Sequence, residues 1–288
     1  MIVGVSFLSM LAIGMPIAFA LATLALIYIL VSGNTVMLQS YSQQLYGGLE
    51  NYGLIALPLF ILLGEFMNAG GIGRRLMALA LALLGRVRGG LAYVNLGANM
   101  MMASILGSTV AQITIMSRLA VPEMERAGYP RDVSMAIAAA GGLLAPIIPP
   151  SMLFIIFGVI AQLPIGDLFI AGVIPGFLIF IAFLGVIAWL GHRHDFPTTE
   201  SMSMRERLKA VADALPAAAI PVIIVGSSLG GLATPTESAA IASLAAVAIG
   251  LFVYREMRLI DIPKAFLNAA ASSASVLFLI AAAQVFSW

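Results

Sequence analysis

The sequence contains no cysteine and very few charged residues. Only 9% of its 288 residues are Asp, Glu, Lys or Arg, whereas soluble domains carry about a quarter. The absence of cysteine excludes disulfides, thiolate metal sites and cysteine nucleophiles. Two histidines are too few for a metal centre, and the sequence shows no glycine-rich phosphate loop and no catalytic triad. We therefore predict no enzyme activity, no ATP hydrolysis, no organic cofactor and no nucleic-acid partner.

The sequence consists largely of long, uncharged, apolar runs. Hydrophobic residues make up 61% of the chain, and its mean hydropathy is +1.07. A helix that crosses a bilayer needs about 20 apolar residues. The sequence therefore predicts an all-α integral membrane protein, surrounded by the lipid bilayer. We interpret the spanning segments as roughly 3–31, 53–70, 133–162, 168–190, 214–231, 236–254 and 270–288.

The uncharged run Gly89–Ser117 has basic residues on both sides. Arg86 and Arg88 precede it, and basic residues follow it at positions 118, 126 and 131. Cytoplasmic loops carry an excess of Lys and Arg, so a hairpin that enters and returns would keep both clusters at one face. Gly107, Ser108 and Thr109 supply a plausible turn. We predict a re-entrant hairpin over 89–119, with one tilted transmembrane helix as the alternative.

A proline cluster interrupts the predicted span 133–162. The stretch 139–151 reads AAGGLLAPIIPPS, with prolines at 146, 149 and 150. Proline inside a helix removes a hydrogen bond and clashes with the preceding turn. Non-helical backbone at membrane depth is tolerated only where protein or a water-filled cavity covers it. We predict a helix break between about Leu143 and Ser151 that faces the turn at 107–109; a simple proline kink is the alternative.

The oxygens of these two stretches suit a hard cation. The break should free backbone carbonyls over 141–145, and the turn offers hydroxyls at Ser108 and Thr109, either of which can cap the second half-helix and favour an anion at its end. Neutral oxygens of this kind bind Na⁺ without a titratable group. Carboxylates at membrane depth are few, which disfavours a proton relay. Glu237 fits a helix-capping box with Thr234, and Glu65 can pair with Arg74 or Arg75.

An internal repeat is indicated by an offset of 219 residues (235 minus 16). This offset aligns Pro16 with Pro235, and it aligns Glu65 with Gln284. The predicted topology runs the two copies in opposite directions, and inverted repeats are typical of secondary transporters. Chance similarity between apolar helices is the alternative. The counterparts of the hairpin turn and of the proline break would fall beyond Trp288, so the second copy is expected to be incomplete.

Several stretches resemble the large membrane subunit of tripartite ATP-independent periplasmic (TRAP) transporters. The matching passages are NYGLIALPLFILLGEFMNAGGIGRRL (51–76), GSTVAQITIMSRLAVPEMERAGYPRDVSMAIAAAGGLLAPIIPPS (107–151), IAGVIPG (170–176), GGLATPTESAAIA (230–242) and IGLFVYRE (249–256). The resemblance implies a multi-pass protein of the bacterial inner membrane that takes up an organic acid, such as a dicarboxylate, by Na⁺ symport as an elevator carrier. It also implies two partners, a small four-helix membrane subunit and a periplasmic substrate-binding protein.

The resemblance implies site residues as well. Na⁺ ligands are expected among Ser104, Ser108, Gly141, Gly142 and Ala145. Substrate contacts are expected at Gly107, Ser108, Thr109 and Pro149.

We predict an inverted-repeat secondary transporter with a re-entrant hairpin and a broken helix. The first repeat and scaffold helices occupy 1–192, a cytoplasmic linker occupies 193–213, and the incomplete second repeat occupies 214–288. A stand-alone ion-coupled carrier of the same architecture is one alternative. A non-transporting membrane scaffold is another, and an intramembrane enzyme is disfavoured because candidate catalytic groups are missing.

Cysteine labelling tests the hairpin. The chain has no native cysteine, so a single introduced thiol is labelled without background. Cysteines placed at Arg88 and at Arg118 should both react with an impermeant maleimide only from the cytoplasmic side, because a hairpin returns both ends to that face. A control cysteine at Leu232, in a predicted outer loop, should react from the other side. Labelling of positions 88 and 118 from opposite faces would refute the hairpin.

Overall fold

The computed structural model describes residues 2–85, 89–107, 109–193, 196–197 and 203–288, and all regular structure in these ranges is helical. The helices are α1 (Ile2–Ala12), α2 (Ile17–Ser32), α3 (Thr35–Gly47), α4 (Ala56–Ala69), α5 (Ile72–Leu84), α6 (Gly90–Leu106), α7 (Thr109–Arg126), α8 (Arg131–Gly142), α9 (Met152–Ile160), α10 (Ile165–Arg193), α11 (Met204–Leu229), α12 (Pro235–Ala248) and α13 (Asp261–Ser287). A 3₁₀ turn at Tyr52–Ile55 leads into α4, and a π turn at Ile249–Val253 extends α12.

Five described helical segments are long and apolar enough to cross a bilayer. They are Tyr52–Ala69, Ile165–Arg193, Met204–Ser228, Pro235–Val253 and Asp261–Ser287. Two shorter apolar helices occupy Val3–Ala12 and Ile17–Ser32. The prediction of an all-α membrane protein is confirmed.

The N-terminal region differs from the prediction of one span over 3–31. The structure has two helices there, α1 and α2, joined by a turn in which Gly14 has φ 87° and Pro16 precedes α2. A positive φ favours glycine, and proline has no N–H to continue a helical ladder. The prediction of a single segment is therefore wrong, because the Gly-Met-Pro sequence at 14–16 interrupts the helix.

The predicted linker 193–213 is also shorter in the structure. Helix α11 already begins at Met204, where the Ser203 hydroxyl accepts a hydrogen bond from Glu206 N and the Glu206 carboxylate accepts one from Ser203 N. Because of this reciprocal cap, the helix begins before the apolar run begins. Helices α3 and α5 were not predicted either, because they are short and partly polar. The buried positions Ile72, Leu76 and Ala80 of α5 nevertheless show helical spacing.

The helices form two compact units, 1–55 with 269–288, and 56–268. In the first unit, Phe19 and Phe278 pack with ring centroids 4.9 Å apart. In the second, α4 and α12 pack closely, because a Cβ at Gly70 would lie only 3.2 Å from Gly250 Cα. The Ser243 hydroxyl of α12 also bonds to the Leu59 carbonyl of α4 at 3.3 Å. Small residues thus allow the close approach of backbones that stabilises helix pairs in membranes.

A charged cluster joins the start of α5 to the end of α12. Glu256 pairs with Arg74 and, at 2.9 Å, with Arg75. The Arg75 guanidinium lies 3.6 Å from the centroid of the Tyr254 ring, and the Tyr254 hydroxyl donates to Asp213 O and accepts from Ala217 N of α11. The predicted pairing of Glu65 with these arginines is wrong. Glu65 instead accepts a hydrogen bond from Asn268 at 3.2 Å.

The capping box predicted at Glu237 is confirmed. Thr234 Oγ1 accepts a hydrogen bond from Glu237 N, Glu237 Oε2 accepts one from Thr234 N at 2.8 Å, and Pro235 occupies the first helical turn. These bonds satisfy backbone donors that have no partner within the helix. Glu237 therefore has a structural role at the start of α12.

Replacing Glu256 should destabilise the protein. Glu256→Gln removes the charge that two arginines share, and both partners of the pair with Arg75 are partly buried, so that its loss costs more than the loss of an exposed pair. We expect a clear fall in the apparent Tm of the purified protein in detergent. Glu123→Gln is the matched control, because Glu123 pairs with Arg126 at the surface and exposed pairs contribute about 0–1 kcal/mol. Equal Tm values for Glu256→Gln and the parent would show that the cluster is not stabilising.

Candidate functional site

The predicted helix break is present between α8 and α9. Helix α8 ends at Gly142 and α9 begins at Met152, with irregular backbone between them. The Ser151 hydroxyl closes the break, because it donates to Pro146 O at 2.6 Å and accepts from Phe154 N at 3.4 Å. Pro149 and Pro150 are buried. The proline cluster therefore separates two half-helices, and a simple kink is excluded.

The carbonyls before the break are less free than the sequence suggested. Gly141 O accepts from Leu144 N at 3.1 Å, and Gly142 O accepts from Ala145 N at 3.2 Å. These bonds span three residues instead of four, so the end of α8 tightens before the chain leaves the helix. The expectation that both glycine carbonyls are unpaired is wrong. Each carbonyl still has a second lone pair that can accept another ligand.

The hairpin turn lies against the start of α9, as predicted. Gly107 ends α6 with φ 55°, a conformation that side chains rarely adopt. A Cβ at Gly107 would lie 3.1 Å from Met152 N and 3.8 Å from Pro150 O. Thr109 begins α7. Ser104 lies in α6, its side chain lies outside the described part of the structure, and Ser108 lies wholly outside the described residues.

The glycine pair before the break holds the hairpin at close range. A Cβ at Gly141 would lie 2.6 Å from Asn99 Cγ of α6, and one at Gly142 would overlap the Ile113 side chain of α7. Both arms of the hairpin therefore touch the last turn of α8. Gly141, Gly142 and the fully buried Ala145, three of the predicted Na⁺ ligands, lie where hairpin and broken helix meet.

A buried amide network lies between the two arms. Asn95, Asn99 and Gln112 have no exposed surface. Gln112 Nε2 donates to Asn99 O at 2.7 Å and to Asn99 Oδ1 at 2.9 Å, and it lies 3.5 Å from Gly141 O. Asn99 Nδ2 donates in turn to Asn95 Oδ1 at 2.8 Å. From the sequence, each of these amides could be expected only to bond to some neighbouring helix. The spacing of Asn95 and Asn99, four residues apart on one helical face, was the available signal for a network.

Helix α10 covers the other side of the break. A Cβ at Gly172 would lie 2.8 Å from Ile147 O, and one at Gly176 would lie 3.0 Å from Ile148 Cγ1. Two glycines four residues apart allow a helix to approach irregular backbone closely. Sequence reasoning missed this contact, although the spacing was visible. The break is thus covered by α10 and by the hairpin.

The side chains of the turn and the break carry no charge. No Lys, Arg, Asp, Glu or His occurs in 89–117 or in 133–166. No group of three or more His, Cys, Asp or Glu residues that could hold a metal occurs among the described residues. The available ligands are backbone carbonyls, amides and hydroxyls, which suit a hard monovalent cation better than a transition metal. An anion could bind at the N-terminus of α9, whose first N–H lies beside the turn.

A cavity elsewhere in the described structure does not fit this chemistry. It has a volume of about 470 Å³ and lies among α6, α8 and α10, with side chains such as Phe183 and Leu190 in its wall. Its walls are apolar except for Asp132. A carboxylate would find no cationic or N–H partner there, so we place the candidate site at the turn and the break.

Comparison with known proteins identifies the family of this chain. Residues 4–288 match the model of the family described as "Tripartite ATP-independent periplasmic transporter, DctM component". The chain belongs to this TRAP transporter family. As a family member with several spanning helices, it is a multi-pass inner-membrane protein.

Three relatives show the extent of the similarity. A 2,3-diketo-L-gulonate TRAP transporter large permease protein of Escherichia coli (strain K12) is 39% identical over 284 residues, which cover 96% of this chain and 65% of that protein. A C4-dicarboxylate large permease of Pseudomonas aeruginosa is 37% identical over 91% of this chain and 61% of its own length. A sialic acid large permease of Vibrio cholerae is 34% identical over 98% and 66%. This TRAP family member thus spans less than two thirds of their lengths.

A methyl group at Gly141 should separate the hairpin from α8. Gly141→Ala places a Cβ against Asn99, and overpacking of this kind costs about 1–3 kcal/mol. We expect a lower apparent Tm in detergent. Gly185→Ala is the control, since a Cβ at Gly185 in α10 meets nothing within 4 Å and alanine favours a helix. A Gly141→Ala protein as stable as the control would contradict the close packing.

Proposed function

We propose that this chain is a transport subunit of a TRAP secondary transporter that takes up an organic acid together with Na⁺. The observation that carries the proposal is the contact of the hairpin turn at Gly107 with the helix break at Pro150–Met152. Irregular backbone at membrane depth is tolerated only where protein covers it or where it lines a water-filled cavity. In secondary transporters, broken helices supply the carbonyls and helix ends that bind ions and substrates.

Na⁺ as the coupling ion is supported by the kind of ligand that the residues offer. Gly141, Gly142 and Ala145 would contribute backbone carbonyls, and Ser104 and Ser108 would contribute hydroxyls. When bound, Na⁺ would supply positive charge that holds these neutral oxygens together. The protein residues contribute the rest: glycines bring the hairpin onto α8, and the Ser151 cap fixes the start of α9.

An acidic substrate is supported by two lines of reasoning. The relatives are named for 2,3-diketo-L-gulonate, a C4-dicarboxylate and sialic acid, all of which carry a carboxylate. The N-terminus of α9 beside Gly107, together with Thr109 and Pro149, would form a wall where backbone N–H groups and the helix dipole favour such an anion. A bound Na⁺ nearby would add to this attraction.

The proposal includes two protein partners. The family is described as tripartite and periplasmic, which supports a small four-helix membrane subunit and a soluble periplasmic receptor that delivers the substrate. A stand-alone carrier would transport without the receptor. A scaffold would show no Na⁺-dependent uptake.

A hydroxyl deletion at the turn tests the cation assignment. The chain is reconstituted in liposomes with the small subunit and the receptor, and uptake of a radiolabelled organic acid is followed against Na⁺ concentration. Ser108→Ala should raise the Na⁺ concentration for half-maximal uptake several-fold. Thr114→Ala is the control on the adjoining helix α7, because the Thr114 hydroxyl bonds to Val110 O of its own turn at 2.8 Å.

The coupling ion is tested in the same liposomes. Uptake should stop when Na⁺ is replaced by choline, because no carboxylate or histidine lies in the turn or the break to carry a proton. Full uptake in Na⁺-free buffer under a pH gradient would show that the Na⁺ assignment is wrong.

A further inference from the structure

Only one orientation of the Gln112 amide is compatible with the hydrogen bonds around it. Three acceptors, Asn99 O, Asn99 Oδ1 and Gly141 O, lie within 3.5 Å of its Nε2 atom. The flipped amide would place Oε1 against these three oxygens and lose every hydrogen bond. The oxygen and nitrogen of a side-chain amide are told apart by their hydrogen-bond partners. The three acceptors around Nε2 therefore identify the other atom as Oε1.

The hydrogen bonds then run in one direction. Gln112 donates to Asn99 Oδ1, Asn99 donates to Asn95 Oδ1, and Asn95 Nδ2 lies 3.3 Å from the Met124 sulfur. Each amide in such a chain polarises the next. The acceptor end of the chain is Gln112 Oε1, and the donor end points at Met124.

That acceptor end has no hydrogen-bond partner among the described residues. Gln112 Oε1 is buried and receives no hydrogen bond from any described residue, and Gln112 as a whole is fully buried. A buried carbonyl oxygen without a donor carries its full desolvation cost, which a bound ion or water would offset. The neighbouring Ile113 touches Gly142, which places Gln112 at the predicted Na⁺ ligands.

We propose that Gln112 Oε1 is a further oxygen ligand of the cation site between the hairpin and α8. This inference rests on the proposed Na⁺ coupling and extends it to a side chain outside the predicted site residues. The Nε2 group bonds to Asn99 across the two arms of the hairpin, which leaves Oε1 available to bind the cation. One residue thus joins hairpin geometry to ion binding.

Ion-dependent thermal stability tests this assignment without a transport assay. The apparent Tm of the purified complex with its small subunit is measured against NaCl, with KCl at constant ionic strength as the reference. Gln112→Leu removes the oxygen, and should raise the half-stabilising Na⁺ concentration at least tenfold. Asn95→Leu is the matched control: Asn95 is equally buried and belongs to the same network, so it should lower the Tm in KCl but shift the Na⁺ response less than twofold.

A second variant covers the case in which Gln112→Leu does not fold. Gln112→Asn keeps an amide at this position but withdraws its oxygen by one carbon–carbon bond, and should raise the half-stabilising Na⁺ concentration several-fold. A parental Na⁺ response in Gln112→Asn would overturn the assignment. Equal Na⁺ responses of the parent and Gln112→Leu, or equal losses in Asn95→Leu and Gln112→Leu, would overturn the assignment and leave Gln112 a structural residue or a ligand of water. A parent protein that Na⁺ does not stabilise over K⁺ would instead refute the proposed Na⁺ site itself.

Discussion

A hydrocarbon bilayer offers no hydrogen-bond partner to a backbone amide or carbonyl, so a spanning chain must satisfy these groups internally. Most of this protein does so with uninterrupted helices. The stretch between Gly142 and Met152 cannot, because prolines at 146, 149 and 150 lack the N–H donors that a helix requires. The structure meets this constraint by covering the stretch with the hairpin on one side and α10 on the other, and by closing it with the Ser151 cap.

The cover is possible because small residues stand at each contact. Gly107 on the hairpin, Gly141 and Gly142 on α8, and Gly172 and Gly176 on α10 all lie where a Cβ would meet a neighbour at short range. Backbone polar groups of one element therefore come near irregular backbone of another. The close packing that covers the irregular backbone also brings neutral oxygens together in a small volume. A desolvated cation requires an environment of this kind.

Much of the fold and of the candidate site could be predicted from the sequence, and particular residues explain the features that could not. The proline cluster and the Gly-Ser-Thr turn carry strong local signals, so the break and its contact with the hairpin were predicted correctly. The break at 14–16 was missed because long apolar composition outweighed one glycine and one proline. The partner of Glu65 was assigned by proximity in sequence, whereas Arg74 and Arg75 pair with Glu256 from a distant helix. Tertiary contacts of this kind, like the bond from Gln112 to Asn99, leave no trace in periodicity.

The described ion pairs and the candidate site lie in separate parts of the sequence. The ion pairs involve residues at helix ends or turns, such as Arg75 with Glu256 and Arg131 with Glu125, where solvent or headgroups can share the charge. The uncharged stretches 89–117 and 133–166, which contain the turn and the break, offer only amides, hydroxyls and carbonyls as polar groups. Burial of these groups costs less than burial of an isolated charge. A cation that enters this region would be the sole full charge there, so its arrival or departure would change the local electrostatics more than any side chain could. A neutral site flanked by rigid contacts is therefore well suited to make ion occupancy decide whether hairpin and broken helix hold together.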